Sequence, residues 1–126
     1  MVLIDTDVLI WFIRGHAGAQ LAISKQDDWC ISVVTYMELL QGCKNKTELK
    51  KLQRTFHSNP NTVLPLLEGI SHSACELVTQ HALSHSLQMA DALIAATALE
   101  HGLPLLTGNV KHFKPVAGLE LVAFKP

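Results

Sequence analysis

Three carboxylates and one amide lie beside apolar stretches of the chain, and together these side chains could bind a metal ion: Asp5, Glu38, Asp91 and Asn109. Asp5 follows the apolar run Val2–Ile4, which has the composition and length of a buried strand. Asn109 follows a second such run, Leu103–Leu106, after a threonine and a glycine. Because ligands of parallel α/β sheets bind beyond the carboxyl ends of the strands, both residues are expected where chemistry takes place.

Each of these residues also has an explanation without chemistry. Thr35 and Glu38 have the spacing of a capping box, in which both side chains would serve the start of a helix. Asp91 lies in the first turn of the predicted helix Met89–His101, where the helix dipole favours a carboxylate. Asn109 is of a residue type that is common in turns with left-handed backbone. Taken singly, these positions do not decide between structure and catalysis.

The convergence of the acids on one edge of a sheet favours a metal site. Carboxylates brought close together raise each other's pKa unless a cation lies between them. An all-oxygen set without histidine or thiol suits Mg²⁺ or Mn²⁺, which bind a few carboxylates, waters and substrate phosphate. The sequence therefore predicts a divalent-metal site built from Asp5, Glu38 and Asp91, with Asn109 beside it.

Predicted strands and helices alternate along the chain. The strands are expected at Val2–Ile4, Trp29–Ser32, Thr62–Leu64, Leu103–Leu106 and Leu119–Ala123. The helices are expected at Val8–Ile13 with Asp7 as its cap, Ala19–Ser24, Val33–Gln41 ending at Gly42, Thr47–His57 before a break at Ser58–Asn61, Ser71–Ser84, and Met89–His101. Because the strands are apolar nearly throughout, this alternation predicts an α/β fold with a parallel sheet of about five strands, covered on both faces.

The composition is that of one globular domain spanning residues 1–126. The chain is 48% hydrophobic and carries a formal net charge of −1, so contact with nucleic acid would need local basic patches. Three cysteines without CxxC spacing favour reduced thiols. The first residues lack the basic region of a signal peptide, and no apolar run reaches the roughly 18 residues of a membrane span. These features predict a cytoplasmic protein that does not contact membranes.

Four motifs, in this order, resemble those of PIN domains of the VapC toxin type: Ile4–Asp7, Thr35–Gly42, Ala90–Leu99 and Leu106–Phe113. The resemblance covers essentially the whole chain. It implies a PIN-like three-layer α/β/α fold with strand order 3-2-1-4-5. It also implies an endoribonuclease that uses Mg²⁺ or Mn²⁺ to hydrolyse RNA phosphodiesters, is neutralised by a cognate VapB-type antitoxin and forms a homodimer.

The resemblance also assigns roles to individual residues. Asp5, Glu38 and Asp91 match the metal-binding acids of the family. Thr6 and Thr107 match its small hydroxyl positions. Together with Asp7 and His112, they would orient ligands or substrate. Two positions depart from the pattern. Asp7 stands where the family commonly has asparagine, and Asn109 matches a position that is acidic in many members. The departure at Asn109 leaves the number of bound ions open.

Basic residues could meet the phosphates of RNA. Lys111 and His112 lie within one turn of Asn109, and an exposed loop pair without function is an equally good interpretation. A basic stripe recurs every four residues along the helix predicted over Thr47–His57 and just before it: Lys46, Lys50 and Arg54. Such a stripe can neutralise backbone phosphates, although most stripes of this kind are simply solvated helix faces.

Two other classes of protein remain as alternatives. Asp5 and Asp7 also resemble the opening motif of haloacid-dehalogenase-type phosphatases, in which the first aspartate is a phosphorylated nucleophile. That family needs a late acidic pair, where this chain has the single Asp91. The second alternative is a non-enzymatic binding module that keeps the PIN-like fold without a working metal site.

The segment Val8–Ile13 is apolar around its whole circumference. A helix on one face of a sheet needs an apolar stripe of only about 100° to face its own core. We therefore expect part of this helix to be exposed as a partner surface, with Trp11 and Phe12 as anchors for a second copy of the chain or for an antitoxin segment.

Overall fold

The computed structural model describes residues 1–59, 62–85 and 87–126. The elements within these ranges are β1 Val2–Ile4, α1 Thr6–Ile13, α2 Ala17–Ser24, β2 Trp29–Ser32, α3 Val33–Gln41, α4 Lys46–His57, β3 Val63–Leu64, α5 Glu68–His85, α6 Met89–Glu100, β4 Leu105–Thr107, α7 Val110–Phe113 and β5 Leu121–Ala123. All neighbouring strands are parallel, in the order β3-β2-β1-β4-β5. The predicted five-stranded parallel sheet and its strand order are confirmed.

The strand register brings the carboxyl ends of the central strands to one edge. Ile4 of β1 lies opposite Leu106 of β4, so the residues that follow, Asp5 and Thr107, are level with each other. The Asp5 amide still donates to the carbonyl oxygen of Leu106 (2.9 Å), and the Phe124 amide donates to that of Thr107 (2.9 Å). The Asp5–Leu106 backbone bond therefore holds the first residue after β1 beside the end of β4.

Alternate strand residues build two hydrophobic cores, one on each face of the sheet. Leu3 and Leu105 face a core formed largely with α5 and α6, while Ile4 and Leu106 face a core formed with α1, α2, α3 and α4. The α6 helix contributes mainly alanines to the first core, and small side chains allow a helix to lie close to its neighbours. The sheet is therefore covered on both faces, as the apolar strands indicated, and the architecture has three layers.

Several predicted element boundaries were wrong by two or three residues. The helix α1 begins at Thr6 instead of Val8, and its N-cap is Asp5, not Asp7. Asp5 has extended backbone (φ −71°, ψ 155°) and accepts the Thr6 amide, so Asp7 already lies inside the first turn. The strand β4 begins at Leu105 and includes Thr107, and α5 begins at Glu68. The predicted break at residues 58–61 lies partly outside the described residues.

The last four residues of α1 leave apolar side chains partly exposed. Ile10, Trp11, Phe12 and Ile13 are between 36% and 56% exposed, and we call them the α1 patch. The inner residues Val8 and Leu9 are buried in the core instead. The prediction that this helix exposes Trp11 and Phe12 is confirmed. Within the described residues, no helix is both long enough and apolar enough to cross a membrane.

Candidate active site

Asp5 occupies the centre of the carboxyl edge and is only 3% exposed. Its Oδ1 accepts the backbone amide of Thr6 at 2.8 Å, and its Oδ2 accepts the hydroxyl of Thr107 at 2.8 Å. Thr107 is fully buried, and its hydroxyl oxygen in turn accepts the Asn109 amide at 2.9 Å. The end of β4 therefore holds the carboxylate that follows β1 in one fixed orientation.

The pKa of Asp5 is raised from 3.8 to about 7. Burial is the main cause, because a buried carboxylate loses the water that stabilises its charge. The charge of Asp7 adds to the increase, as does the more distant charge of Asp91. The hydrogen bonds from Thr107 and Thr6 act in the opposite direction and only partly offset these effects. The protein itself therefore does not fully compensate the charge of ionised Asp5.

Asp7 lies in the first turn of α1 and joins the β1 end to the β4 end. Its Oδ1 accepts the Val8 amide at 2.8 Å, and its Oδ2 accepts the Gly108 amide at 3.0 Å. A Cβ atom on Gly108 would lie 2.5 Å from Asp7 Oδ2, so any larger residue there would have to displace the Asp7 carboxylate. The pKa of Asp7 is raised, chiefly by burial, against the effect of its hydrogen bonds to Val8, Asp5 and Gly108.

Glu38 is brought to the same edge by a hydroxyl pair. The Thr6 hydroxyl oxygen lies 2.8 Å from Glu38 Oε1 and 3.0 Å from the hydroxyl oxygen of Thr35. A hydroxyl has one hydrogen to donate, and a carboxylate only accepts, so Thr6 donates to Glu38 and accepts from Thr35. Thr35 is fully buried, which fixes its position behind the pair.

The capping-box interpretation of Thr35 and Glu38 was wrong. The N-cap of α3 is Ser32, whose hydroxyl oxygen accepts the Val34 amide at 3.1 Å. Thr35 and Glu38 therefore lie inside the helix, one turn apart on the face that meets α1. Their spacing places both side chains against Thr6 of α1 and does not serve the start of their own helix.

Asp91 approaches from the first turn of α6, with its side chain 20% exposed. Burial raises its pKa most, and the charges of Glu38 and Asp7 raise it further. His112 Nδ1 lies 3.8 Å from Asp91 Oδ2 and opposes this increase, as does a hydrogen bond from the Gln88 backbone. That last bond means that Asp91 does help to cap α6, as the structural alternative predicted.

Four carboxylates from three separate segments thus influence one another at this edge, and we call them the acid cluster: Asp5, Asp7, Glu38 and Asp91. The three predicted ligands come together as expected, and Asp7 joins them. The sequence reasoning missed two supporting residues. Thr35 was considered only as part of a helix cap, and Gly108 was overlooked, although a glycine two positions after a predicted strand is a signal of close approach.

Asn109 borders the acid cluster without contributing charge. It is exposed and precedes α7, and its side chain makes no capping hydrogen bond there. Its backbone has φ −106°, so the left-handed turn that would have explained Asn109 without chemistry was wrong. Lys111 and His112 follow in α7 and are exposed, with His112 directed towards Asp91.

The predicted basic stripe lies on another part of the surface. Lys46, Lys50 and Arg54 are all exposed on α4. Phe56 anchors that helix to the rest of the fold. Its ring packs edge-on against two others, with ring centroids 5.2 Å from that of Tyr36 and 6.4 Å from that of Trp29. In residues 1–59, 62–85 and 87–126, no ion pair joins the stripe to the acid cluster.

The donor chemistry of the acid cluster fits a hard divalent cation. Its ligand atoms would all be carboxylate oxygens. Burial raises the pKa of Asp5, Asp7 and Asp91, and repulsion from neighbouring carboxylates raises that of Asp5 and Asp91 further. The part of the chain that the structure describes contains no closed set of three or more His, Cys, Asp or Glu side chains positioned for a metal ion. Mg²⁺ does not need such a set, because it retains several waters and binds through one or two carboxylates.

A three-layer fold with this strand order and an acidic carboxyl edge defines an α/β protein with a site for chemistry at the ends of β1 and β4. The model of the PIN domain family matches residues 2–119, and the chain belongs to that family. It is 35% identical to ribonuclease VapC10 of Mycobacterium tuberculosis, over 90% of this chain and 86% of the relative. It is 32% identical to ribonuclease VapC1 of Rickettsia felis, over 96% and 94% of the two chains. Among solved structures, a toxin–antitoxin complex from Klebsiella pneumoniae contains a chain of the same fold, with a TM-score of 0.79, 29% identity and coverage of 98% and 97%.

Proposed function

We propose that this protein is a divalent-metal-dependent endoribonuclease and the toxin of a VapBC-type toxin–antitoxin pair. The observation that carries the proposal is the meeting of Asp5, Glu38 and Asp91 at the carboxyl edge of the sheet, with uncompensated negative charge. Membership of the PIN-domain family and the ribonuclease names of the relatives support RNA as the substrate.

The cation would be Mg²⁺ or Mn²⁺, held by Asp5, Glu38 and Asp91 either directly or through water. When bound, such an ion supplies positive charge that stabilises phosphoryl oxygens and lowers the pKa of a water molecule. Hydrogen bonds within the protein already orient two of these carboxylates. The hydroxyl of Thr107 orients the carboxylate of Asp5, and the hydroxyl of Thr6 orients that of Glu38.

Residues around the acid cluster have the chemistry to position the substrate. Asn109 is exposed beside the Asp5–Thr107 pair, where its amide can orient a water or a phosphate oxygen. His112 and Lys111 lie in the same short helix and would meet negative charge on the phosphodiester. Farther away, the stripe of Lys46, Lys50 and Arg54 would contact the RNA backbone through phosphates, which predicts salt-dependent binding.

The partner would be a small VapB-type antitoxin, because the chain from Klebsiella pneumoniae with the same fold comes from a toxin–antitoxin complex. The α1 patch offers an apolar surface for this partner or for a second copy of the chain. All three cysteines are free thiols, which suits the cytoplasm. A single domain over residues 1–126 remains our prediction, and the family match covers residues 2–119.

The proposal is tested by incubating the purified chain with RNA oligonucleotides in EDTA, Mg²⁺ or Mn²⁺. We expect cleavage with either ion, none in EDTA, and none from Asp5→Asn. Asp28→Asn is the matched control, since Asp28 also accepts the amide of its next neighbour but lies exposed at the start of β2. Failure of the wild-type protein to cleave RNA with either ion would refute the proposal.

The two alternatives predict other results in the same preparation. A binding module without a working metal site would show neither cleavage nor any increase in melting temperature with Mn²⁺. A phosphatase of the haloacid-dehalogenase type would form an acyl phosphate on Asp5, which mass spectrometry after incubation with a phosphate ester would detect.

A further inference from the structure

Asp7 is the carboxylate that connects the two central segments of the site. One of its oxygens accepts the amide of its own neighbour, Val8, and the other accepts the amide of Gly108, 101 residues away in sequence. The β4 end itself contributes no carboxylate, because Thr107, Gly108 and Asn109 are all neutral. Asp7 therefore places a negative charge directly against a neutral loop.

The surroundings of Asp7 are unfavourable for a residue with only a structural task. The negative charge of Asp7 acts on the carboxylates of both Asp5 and Asp91. An asparagine could accept a hydrogen bond from Gly108 without repelling these two acids. Each oxygen of Asp7 receives one N–H donor, and a carboxylate oxygen can accept more than one partner, so both have remaining capacity for a ligand.

We propose that Asp7 is a fourth carboxylate of the cation site, and that its charge serves the β4 side of the site, where Asn109 supplies none. This inference rests on the proposed function, since it concerns the same divalent ion. It assigns Asp7 a role in binding the ion, whereas the sequence suggested only a helix cap or a residue that orients substrate. The competing explanation is a structural latch, in which Asp7 merely ties α1 to the loop after β4.

Substitutions that keep the size of the side chain distinguish a role of the Asp7 charge in ion binding from a purely structural latch. Asp7→Asn removes the charge and retains one acceptor for the loop amides. Asn109→Asp introduces a charge on the residue next to Gly108, and the double variant moves the charge from position 7 to position 109. Asp28→Asn again serves as the control, because Asp28 accepts the Trp29 amide at 2.8 Å just as Asp7 accepts that of Val8.

The measurement is Mn²⁺ binding to the metal-free full chain at pH 8, followed by the electron paramagnetic resonance signal of the free ion. We expect Asp7→Asn to weaken binding by about tenfold or more, in the range found when groups that support a metal site are removed. The double variant should recover most of this loss, Asn109→Asp alone should bind more tightly than the wild type, and Asp28→Asn should bind unchanged. An affinity of Asp7→Asn equal to that of the wild type would overturn the proposal, as would a double variant no better than Asp7→Asn.

The stability of the metal-free chain provides a second, independent readout. Removal of a repelling charge should leave the melting temperature of Asp7→Asn in EDTA unchanged or higher, whereas loss of a latch should lower it. A variant that does not fold would therefore count for the latch and against the cation role. RNA cleavage is scored separately: if the wild type binds Mn²⁺ and cleaves no RNA, the nuclease assignment fails while the assignment of Asp7 still stands or falls on its affinity.

Discussion

Replacement of Asp5 by asparagine should make the metal-free protein more stable at neutral and alkaline pH. Folding raises the pKa of Asp5 from 3.8 to about 7. A raised carboxyl pKa contributes stability that is fully present below about pH 4 and is lost as the pH rises through 7. Since one pKa unit corresponds to about 1.4 kcal/mol, ionised Asp5 destabilises the fold by about 4 kcal/mol at the upper limit.

The asparagine also loses something, which reduces the expected gain. It offers one acceptor oxygen where Asp5 accepts both the Thr6 amide and the Thr107 hydroxyl. A lost hydrogen bond of this kind costs about 1 kcal/mol, so the net gain at pH 8 should be about 1–3 kcal/mol. At pH 4, where the native carboxyl group is already neutral, the variant should have no advantage.

Urea unfolding in EDTA at pH 4 and pH 8 measures both values. In the same titrations without EDTA, Mn²⁺ at 100 times its dissociation constant should stabilise the wild type by about 2.7 kcal/mol and the variant by much less. Our account of the site is refuted if Asp5→Asn is less stable than the wild type by the same amount at both pH values. That result would mean that Asp5 acts only as the helix cap of α1.

Three further substitutions test other parts of the site and surface. Glu38→Gln should abolish RNA cleavage and change the free energy of unfolding by less than about 1 kcal/mol, since the Glu38 side chain caps no helix. If the variant unfolds but its folded fraction keeps normal activity, the capping explanation would be restored. Gly108→Ala would place a Cβ atom 2.5 Å from Asp7 Oδ2, so it should displace the Asp7 carboxylate and weaken Mn²⁺ binding measured by calorimetry. An affinity equal to that of the wild type would show that the site does not depend on this contact. Trp11→Ala should weaken self-association or antitoxin binding by more than about 1 kcal/mol without unfolding the chain, as measured by sedimentation and melting curves; loss of the fold with unchanged association would make the patch part of the core.

The features that the sequence predicted best are those determined by local pattern. Val2–Ile4 is apolar, short and followed by an acid, and such a run has few alternatives to a buried strand. The alanine-rich helix around Ile94 likewise had to be central, since its residues are apolar on nearly every side. Both patterns place Asp5 and Asp91 at element ends, which is why these two acids could be expected at the site.

The contacts that orient the acids could not be found in the same way. Thr6 meets Glu38 across 32 residues of sequence, and Asp7 meets Gly108 across 101. Local spacing instead suggested a capping box at Glu38, and Ser32 takes that role because the helix begins directly after β2. The identity of each oxygen's partner depends on which helix packs beside which strand, and periodicity carries no information about that.

The short distance between Asp7 and Gly108 has a consequence for how this chain can vary. A side chain at position 108 and a carboxylate at position 7 compete for the same space, so position 108 cannot take a larger residue while the Asp7 carboxylate stays where it is. In a library that randomises both positions together, folded variants with a residue larger than glycine at 108 should carry a shorter or absent side chain at 7. Position 108 should therefore tolerate fewer residues while Asp7 is kept than it does when position 7 varies with it.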